Sequence, residues 1–418
     1  MEYLSVLDAN PKSRAYSVAL NSFSKLVTPI QNKYLRVYRW YNFKHSFSRD
    51  LVFSLVSSLG LGSNDLILDP FCGAGTTMLA AKELGIPSVG LDLMPLSVLV
   101  SSVKVREYDI VEVRNHFRRV ECQARAINPP NDRKIYRELG TYFPRGELRA
   151  ILKLREAINQ IDDLNLRELF LLGLLSILED SSFTRKDGAF IRTVKGKITS
   201  NVASGFPDKM NLIINDLPYL NKLPRVQAKA YLSDARSTGL PSGSISAVLT
   251  SPPYPNRHDY TRIYYLELRL GFYNKYESIK KLRYGLLRSH VEARKKYDDE
   301  DYEYPRSLQR ILAELQTRNL PNRNVINLVD GYFKDMHIWL KEMYRVLIPD
   351  GTVSIVIGDA RYGGISVPSE VLIREIAEGI GFEHLNTIRA RDKGNSPQQM
   401  GKYGKVYSPE SIISLRKN

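Results

Sequence analysis

The chain has 418 residues, of which 43% are hydrophobic and 25% charged, a composition typical of a globular protein with a full core. Its 60 Lys and Arg against 45 Asp and Glu give a formal net charge of +15, which favours a polyanionic partner, with nucleic acid the first candidate. Only two cysteines are present, which excludes a disulfide framework or a four-cysteine metal site and favours the reducing cytoplasm. No apolar run approaches the ~20 residues of a membrane-spanning helix, and residues 1–10 lack the layout of a secretory signal, so we expect no membrane partner.

The first part of the chain predicts a βαβ unit. A short apolar strand at 65–69 runs into a glycine-containing turn at 70–77 and then into a helix. A second strand at 88–92 follows and ends on an acid. This succession indicates a parallel sheet, and therefore an α/β fold.

Further along, regions of helical or basic character alternate with regions of strand character. Charged amphipathic helices follow the βαβ unit, and strand patterns return at 230–234 and 245–250 before a basic, Tyr-rich stretch. We predict five parts: an N-terminal core part at 1–104, a helical insertion at 105–226 that is a candidate for target recognition, a second core part at 227–270, a basic insertion at 271–330 that is a candidate for DNA contact, and a C-terminal core part at 331–418.

The glycine turn and two acids suggest a nucleoside site. A glycine turn between a strand and a helix lets a ligand approach the backbone, but Gly73-x-Gly75 lacks the third glycine of the dinucleotide fingerprint and the Lys-Ser/Thr of a phosphate loop. A pyrophosphate ligand is therefore disfavoured. Asp92 and Asp234 each end a predicted strand, where they suit ribose hydroxyls and an adenine amino group. Alternatively, Asp92 caps the next helix and Asp234 belongs to a turn.

The segment Ser251-Pro252-Pro253-Tyr254 directly follows an apolar strand. Two successive prolines prevent both helix and ladder continuation, so the backbone is held with its carbonyls outward. A rigid carbonyl beside a Ser hydroxyl can accept both hydrogens of an exocyclic amino group, and Tyr254 can stack on a base. Such a site needs alignment rather than a covalent nucleophile, and a base from a duplex reaches it only when flipped. The alternative is a Pro-Pro turn that ends a strand.

Together these segments resemble the S-adenosylmethionine-dependent amino-methyltransferases of DNA, which methylate N4 of cytosine or N6 of adenine. Asp69–Thr77 is similar to their cofactor loop, Asp92 resembles the acid that holds the cofactor ribose, and Tyr41–Ser48 resembles the element that closes over the methionine end. The resemblance implies a Rossmann-like class I methyltransferase fold, with a mostly parallel seven-stranded sheet, a C-terminal antiparallel strand and two insertions. It implies double-stranded DNA as substrate, in a restriction-modification system whose cognate endonuclease is a candidate partner.

The resemblance also assigns site residues. Those implied to bind S-adenosylmethionine are His45, Ser46, Phe47, Asp69, Pro70, Phe71, Cys72, Gly73, Gly75, Thr76, Thr77, Asp92, Leu93, Asp234 and Ala235. Those implied to be catalytic are Ser251, Pro252, Pro253 and Tyr254. No His-x-x-x-His pair lies near an acid, so we expect no metal site.

The target base is predicted from Ser251. A Ser in this position resembles the N4-cytosine enzymes, whereas N6-adenine enzymes usually have Asp or Asn there, although each can accept the hydrogen bond. Many N4-cytosine enzymes, however, place the Pro-Pro motif before the glycine loop, the reverse of the order here. Neither Cys72 nor Cys122 is placed as the nucleophile that C5 methylation requires. N6-adenine methylation, RNA methylation and an inactive nucleic-acid-binding protein remain the alternatives.

Basic residues interleaved with tyrosines follow the Pro-Pro motif and are candidates for phosphate contacts and base stacking. The predicted DNA contacts are Arg257, His258, Arg262, Lys280, Lys281 and Arg283, with Arg288, Arg294, Lys295 and Lys296 in the same stretch. The alternative for each is a solvated helix face.

Overall fold

The computed structural model describes residues 23–188, 190–293, 302–394, 404 and 406–418. The segment 1–10, considered above for a secretory signal, and the predicted DNA contacts Arg294, Lys295 and Lys296 lie outside the described residues. Within those ranges, no helix combines the length and the apolar character needed to cross a membrane.

The described residues form eleven strands and fourteen α-helices. The strands are β1 Ile67–Asp69, β2 Ser88–Asp92, β3 Thr184–Asp187, β4 Phe190–Thr193, β5 Ala228–Leu232, β6 Ile245–Thr250, β7 Leu347–Gly358, β8 Ala360–Tyr362, β9 Ile365–Val367, β10 Phe382–Gly394 and β11 Tyr407–Lys417. The α-helices are α1 Arg49–Leu59, α2 Thr76–Glu83, α3 Pro95–Val105, α4 Ile110–Ala126, α5 Arg133–Leu139, α6 Arg145–Asn159, α7 Leu164–Ser176, α8 Val202–Leu220, α9 Tyr260–Ile263, α10 Tyr265–Gly271, α11 Tyr276–Gly285, α12 Arg306–Thr317, α13 Asn324–Val346 and α14 Ser369–Ile380. Two short 3₁₀ turns at Gln31–Lys33 and Tyr38–Trp40 precede α1.

A seven-stranded sheet in the order β10-β11-β7-β6-β1-β2-β5 forms the centre of the fold. The five strands from β7 to β5 pair in parallel, and β11 is antiparallel to both of its neighbours. This order and this single reversed strand confirm the predicted Rossmann-like class I methyltransferase fold. In such a sheet, ligands bind beyond the carboxyl ends of the parallel strands.

The local sequence accounts for the elements at the ligand-binding edge. All three residues of β1 are buried, as expected for a central parallel strand covered by helices on both faces. Helix α1 begins where the Ser48 hydroxyl accepts a hydrogen bond from the backbone N–H of Leu51 and ends at Gly60 in the left-handed conformation. Residues 349–351 lie within β7, as an irregularity where its pairing with β6 jumps from Leu347 to Thr352.

The two regions predicted as insertions differ in structure. Helices α4 to α8 lie between α3 and β5, together with the hairpin β3–β4. This hairpin was not predicted, because its alternation is hidden by basic residues on a largely exposed surface. In the second region, α13 begins at Asn324, and its first turns carry buried apolar residues.

Candidate active site

The glycine turn and the Pro-Pro segment meet because their strands are neighbours. β1 pairs with β6, so the residues that follow each strand leave the sheet side by side. The Thr250 hydroxyl at the end of β6 donates a hydrogen bond to Asp69 Oδ1 at the end of β1, over 2.6 Å. Asp69 Oδ1 also accepts from the backbone N–H of Phe71, so this buried carboxylate joins the two segments.

Gly75 allows the turn to lie against helix α3. Its φ is +71°, in the left-handed region that favours glycine, and it caps the N-terminus of α2. A Cβ at Gly75 would lie 2.8 Å from the Ser101 Cα atom in α3. The turn therefore needs glycine here both for its conformation and for its packing.

A cleft of about 760 Å³, termed the central cleft, opens above the sheet edge. Ten of the predicted site residues line it: His45, Pro70, Phe71, Gly73, Asp92, Leu93, Asp234, Ala235, Ser251 and Pro253. The structure thus brings the predicted cofactor side and the predicted acceptor side into one cavity.

Asp92 lines the central cleft and also holds the turn. Its carboxylate accepts hydrogen bonds from the backbone N–H groups of Gly73, over 3.1 Å, and Met94, over 2.8 Å. A carboxylate has about four acceptor positions, so it can still accept from ribose hydroxyls. Burial raises the pKa of Asp92 to about 6, partly offset by these backbone hydrogen bonds.

Asp234 lies in the central cleft in a turn after β5, but it is paired with a cation. Arg236 donates to both oxygens of Asp234, over 2.9 and 3.0 Å, and also to Asp335. The guanidinium and Asp335 are almost fully buried, which fixes the orientation of Asp234. The backbone N–H of Arg236 also donates to Asp234 Oδ1, over 3.0 Å.

Five other predicted cofactor residues lie behind the cleft or in a neighbouring cavity. Cys72 is buried, with its Sγ atom 3.4 Å from the Ser101 hydroxyl, and Thr77 donates to the Leu249 carbonyl in β6. The hydroxyls of Ser46 and Thr76 are 3.0 Å apart and both residues line a second cavity beside the turn. Phe47 lines a third cavity, next to Tyr254. Cys72 and Thr77 therefore shape the turn with their side chains rather than face the central cleft.

The side chains of the Pro-Pro segment are held by the C-terminal strands. The Ser251 hydroxyl donates to the Val356 carbonyl in β7 over 3.1 Å, and the Tyr254 hydroxyl donates to Glu410 in β11 over 2.8 Å. A Cβ at Gly358 would lie 2.9 Å from the Tyr254 ring, so β7 supports that ring directly. Burial and the Glu410 carboxylate raise the pKa of the Tyr254 hydroxyl well above its ordinary value.

Glu410 carries its charge although it is buried. Burial alone would raise its pKa, but Lys393 and Arg391 form ion pairs with it and hold the pKa below its ordinary value. The Lys393 ammonium also lies 5.2 Å from the centre of the Tyr254 ring. The Tyr254 ring is thus fixed at its tip by an anion and beside its face by a cation.

Two histidines stand between the central cleft and the Tyr254 side of the site. The rings of His45 and His258 are 5.0 Å apart, and the Nδ1 atoms of both are buried without a hydrogen-bond partner in the described residues. Burial, with His258 next in effect, lowers the pKa of His45 to about 3. Burial and Lys393 lower the pKa of His258 to about 4. Both rings are therefore neutral at pH 7, and can donate or accept hydrogen bonds.

A larger cleft of about 2,140 Å³, termed the outer cleft, opens beside Tyr254. Three of the predicted DNA contacts, Arg257, His258 and Arg262, line it. Lys280 and Lys281 are exposed on α11. Arg257 has a φ of +70°, an uncommon conformation for a residue with a side chain.

The structure does not support the predicted role of Arg283 as a DNA contact. It is only 2% exposed, and its guanidinium pairs with Asp259 over 2.8 Å and donates to Thr261. Arg288 is likewise mostly buried, on Asp335. Both arginines were predicted from a local run of basic residues, which does not reveal that buried acids from other parts of the chain neutralise them.

The chain is similar to known DNA methyltransferases over most of its length. The N6/N4 methyltransferase family model, described as DNA methylase, matches residues 23–98 and 245–418. The chain is 32% identical to the Type II methyltransferase M.BsoBI of Geobacillus stearothermophilus, covering 94% of this chain and 88% of the relative. It is 29% identical to the Type II methyltransferase M.AvaI of Nostoc sp., covering 94% and 89%.

The chain belongs to the N6/N4 DNA methylase family. It is a DNA amino-methyltransferase, and S-adenosylmethionine is its cofactor. A solved geranyl diphosphate methyltransferase in complex with S-adenosylmethionine covers 99% of this chain and 95% of its own, at 9% identity and a TM-score of 0.33. The fold assignment rests on the strand order and not on that likeness.

The methylase family model does not match residues 99–244, which include the helical region and Asp234. The alignment to M.BsoBI spans 94% of this chain, so most of that region has a counterpart in the relative. The basic region at 271–330, in contrast, lies within the family match.

Several residues that shape the site of this methylase were not predicted. Tyr260, Leu286, Leu287 and Ser289 line the central cleft, and Glu410 holds Tyr254. Leu286 to Ser289 lie in the region predicted as a basic insertion for DNA contact, so part of that region also forms the wall of the cleft. No local pattern distinguishes these residues, because each reaches the site through a contact distant in sequence.

Proposed function

We propose that this enzyme methylates N4 of a flipped cytosine in double-stranded DNA. The observation that carries the proposal is the central cleft, in which Asp92 and Gly73 face Ser251 and Pro253 across one cavity. Methyl transfer is a direct displacement, which requires that donor and acceptor meet in line in a shared site.

On the donor side, we infer that the glycine turn, Asp92 and Asp234 hold S-adenosylmethionine. The residues present fit this molecule: Asp92 retains acceptor positions for ribose hydroxyls, the Asp234 carboxylate lines the cleft and is the type of acceptor that suits the adenine amino group, and Leu93 and Phe71 supply apolar surface. When bound, the sulfonium of the cofactor supplies an activated methyl group. The protein contributes its orientation and the exclusion of water.

On the acceptor side, we infer that Ser251 and the carbonyls of the proline segment accept the two hydrogens of the exocyclic amino group. The Ser251 hydroxyl donates its own hydrogen to the Val356 carbonyl, so its oxygen lone pairs remain to accept one from the base. Accepting both hydrogens draws electron density onto the nitrogen and orients its lone pair toward the methyl donor. Tyr254, fixed by Glu410, stacks on the base.

The choice of cytosine rests on Ser251, since a hydroxyl stands where adenine enzymes usually have a carboxylate or an amide. For DNA binding, we propose phosphate contacts by Arg257, Arg262, Lys280 and Lys281, which are exposed around or near the outer cleft. Because the relatives are named Type II methyltransferases, we propose that the enzyme protects one short sequence in a restriction-modification system with a cognate endonuclease.

The test is to express the enzyme in a cell without DNA methylation and to analyse its DNA after digestion to nucleosides. We expect N4-methylcytosine, and we expect methylation-sensitive sequencing to place it in one short motif. N6-methyladenine would replace the proposed target base, and a mark on RNA alone would overturn DNA as the substrate. Tyr254→Ala, expressed to the same level, is the matched control that should leave no mark.

A further inference from the structure

A second cavity beside the glycine turn carries positive charge and no acid. Its polar and charged lining includes Lys33, Arg39, Ser46, Thr76 and Lys104. Arg39 is neutralised by Asp216, which accepts from it over 2.6 Å, and Lys33 is exposed to solvent. Lys104 is therefore the buried cation of this cavity that needs a counter-charge.

Lys104 lies in helix α3 and is 2% exposed. Its ammonium donates to the Ala74 carbonyl of the glycine turn over 2.9 Å, and no carboxylate of the described residues forms an ion pair with it. Burial, with Lys209 on α8 next in effect, lowers the pKa of Lys104 to about 7. An isolated buried ammonium is costly, so this position favours a ligand that brings a negative charge.

Lys82 provides a contrast within the same layer of helices. It is equally buried, at 2% exposed, but its ammonium lies 3.7 Å from the Glu107 carboxylate. The fold thus supplies an acid for one buried lysine and none, among the described residues, for the other.

The two cavities together match the charge distribution of S-adenosylmethionine. The central cleft holds Asp92, whose carboxylate suits hydroxyl groups and repels another carboxylate, and Asp234, whose charge is paired with Arg236. Phe43 lines both cavities and lies beside Gly73, so they adjoin across one ring at the glycine turn. A cofactor with its nucleoside in the central cleft can pass this ring with its amino-acid end.

We propose that Lys104 binds the α-carboxylate of S-adenosylmethionine in the second cavity. This assignment rests on the proposed placement of the nucleoside at Asp92 and Asp234. Ser46 and Thr76, whose hydroxyls line the same cavity, are neutral donors for the second carboxylate oxygen. Lys104 also links the carboxylate to the turn, because its Ala74 contact ties the bound ligand to the residues that follow β1.

The experiment compares the calorimetric affinities of S-adenosylmethionine and its decarboxylated form, which keeps the nucleoside, the sulfonium and the amine. The test variants are Lys104→Met and Lys104→Gln, the second of which can still donate to Ala74. We expect each to weaken binding of S-adenosylmethionine by about 10- to 100-fold, the effect of one buried charge-assisted hydrogen bond. Binding of the decarboxylated form should change by less than about threefold, within the scatter of mutational effects on one contact.

Lys82→Met is the matched control, and it should leave both affinities unchanged because its lysine is already paired. If Lys104→Gln loses affinity equally for both ligands, Lys104 only supports the turn. If it loses affinity for neither ligand, Lys104 does not contact the cofactor. Both results overturn the proposal. If the unmodified enzyme binds neither ligand, the cofactor placement falls together with the proposal. Urea unfolding of each variant shows that the compared proteins are folded.

Discussion

Replacing Gly75 by alanine tests how the glycine turn is built. Alanine in the left-handed conformation costs about 1–2 kcal/mol of folding free energy. At Gly75, whose φ is +71°, the added methyl carbon would also lie 2.8 Å from the Ser101 Cα and 3.1 Å from its Cβ. Because backbone cannot move aside as a flexible side chain can, we add about 1–3 kcal/mol for overpacking.

Gly60→Ala is the matched control for this change. Gly60 has a similar φ of +66°, but a Cβ there would meet no atom within 4 Å. Gly60→Ala should therefore lose only the free energy of the left-handed conformation. Any gain in stability from a less flexible unfolded chain is the same in both variants. The difference in free energy of unfolding between the two variants should be about 1–3 kcal/mol.

The assays are urea unfolding for stability and calorimetry for S-adenosylmethionine affinity. The contact of the added methyl group with Ser101 should displace the glycine turn. We therefore expect Gly75→Ala to bind the cofactor at least about tenfold more weakly, since misplaced positioning groups commonly cause a loss of this size or more. Gly60→Ala should bind it normally. Equal stability losses in the two variants, or undiminished cofactor binding by a folded Gly75→Ala enzyme, would refute the close-approach argument.

Three further predictions concern the two sides of the site and the DNA surface. Tyr254→Ala should lower turnover by about 100-fold or more, since base–aromatic stacking is worth about 1–3 kcal/mol and also aligns the acceptor. Cofactor affinity, measured by calorimetry, should stay within about twofold. A parallel loss of cofactor affinity would contradict the proposed role. Burial raises the pKa of Asp92 to about 6, so its carboxylate is ionised above that pH. Cofactor affinity should therefore be full at pH 8 and fall below pH 6. The Asp92→Asn enzyme should bind the cofactor more weakly, and its affinity should not show this fall. Arg283→Ala should destabilise the fold by about 3 kcal/mol, because it removes the closer and buried counter-charge of Asp259 and leaves only the half-exposed Arg262. Lys280→Ala and Lys281→Ala should leave stability unchanged and reduce the salt dependence of DNA binding in a filter or anisotropy assay; a stable Arg283→Ala enzyme with weakened DNA binding would reverse this distinction.

The elements predicted from the sequence agree best with the structure where the pattern depends only on neighbouring residues. The predicted strands at 88–92 and 245–250 coincide with β2 and β6, because their apolar runs are bounded by turn residues on both sides. The glycine turn and the Pro-Pro segment were predicted because glycine and proline restrict their own backbone in any context. The antiparallel pairing of β10 with β11 includes many polar residues that carry no apolar pattern, since a neighbouring strand supports them through backbone hydrogen bonds.

The predictions that failed concern charge. Nothing in the run around Arg283 shows that Asp259, 24 residues earlier, folds back to neutralise it, and nothing near Lys393 or Arg391 points to Glu410. Lys104 had one local sign, a lysine inside the apolar helix 95–105, but its lack of an acid is a property of the folded surroundings. The burial and the pairing of a charged side chain depend on residues far apart in sequence. A basic run therefore predicts the sign of the net charge of a region, but not which of its side chains are exposed and unpaired.

By itself, the sequence determined the fold class and the two motifs, because backbone restriction by glycine and proline and the apolar periodicity of buried strands act over a few residues. The type of cofactor followed from the family resemblance that those motifs carry. Only the tertiary structure decided that Asp92 and Ser251 share one cleft, that Glu410 fixes Tyr254, and that Lys104 has no acid partner within the part of the chain that the structure describes. These are distances between residues brought together by the order of strands in the sheet, and that order results from the packing of the whole chain.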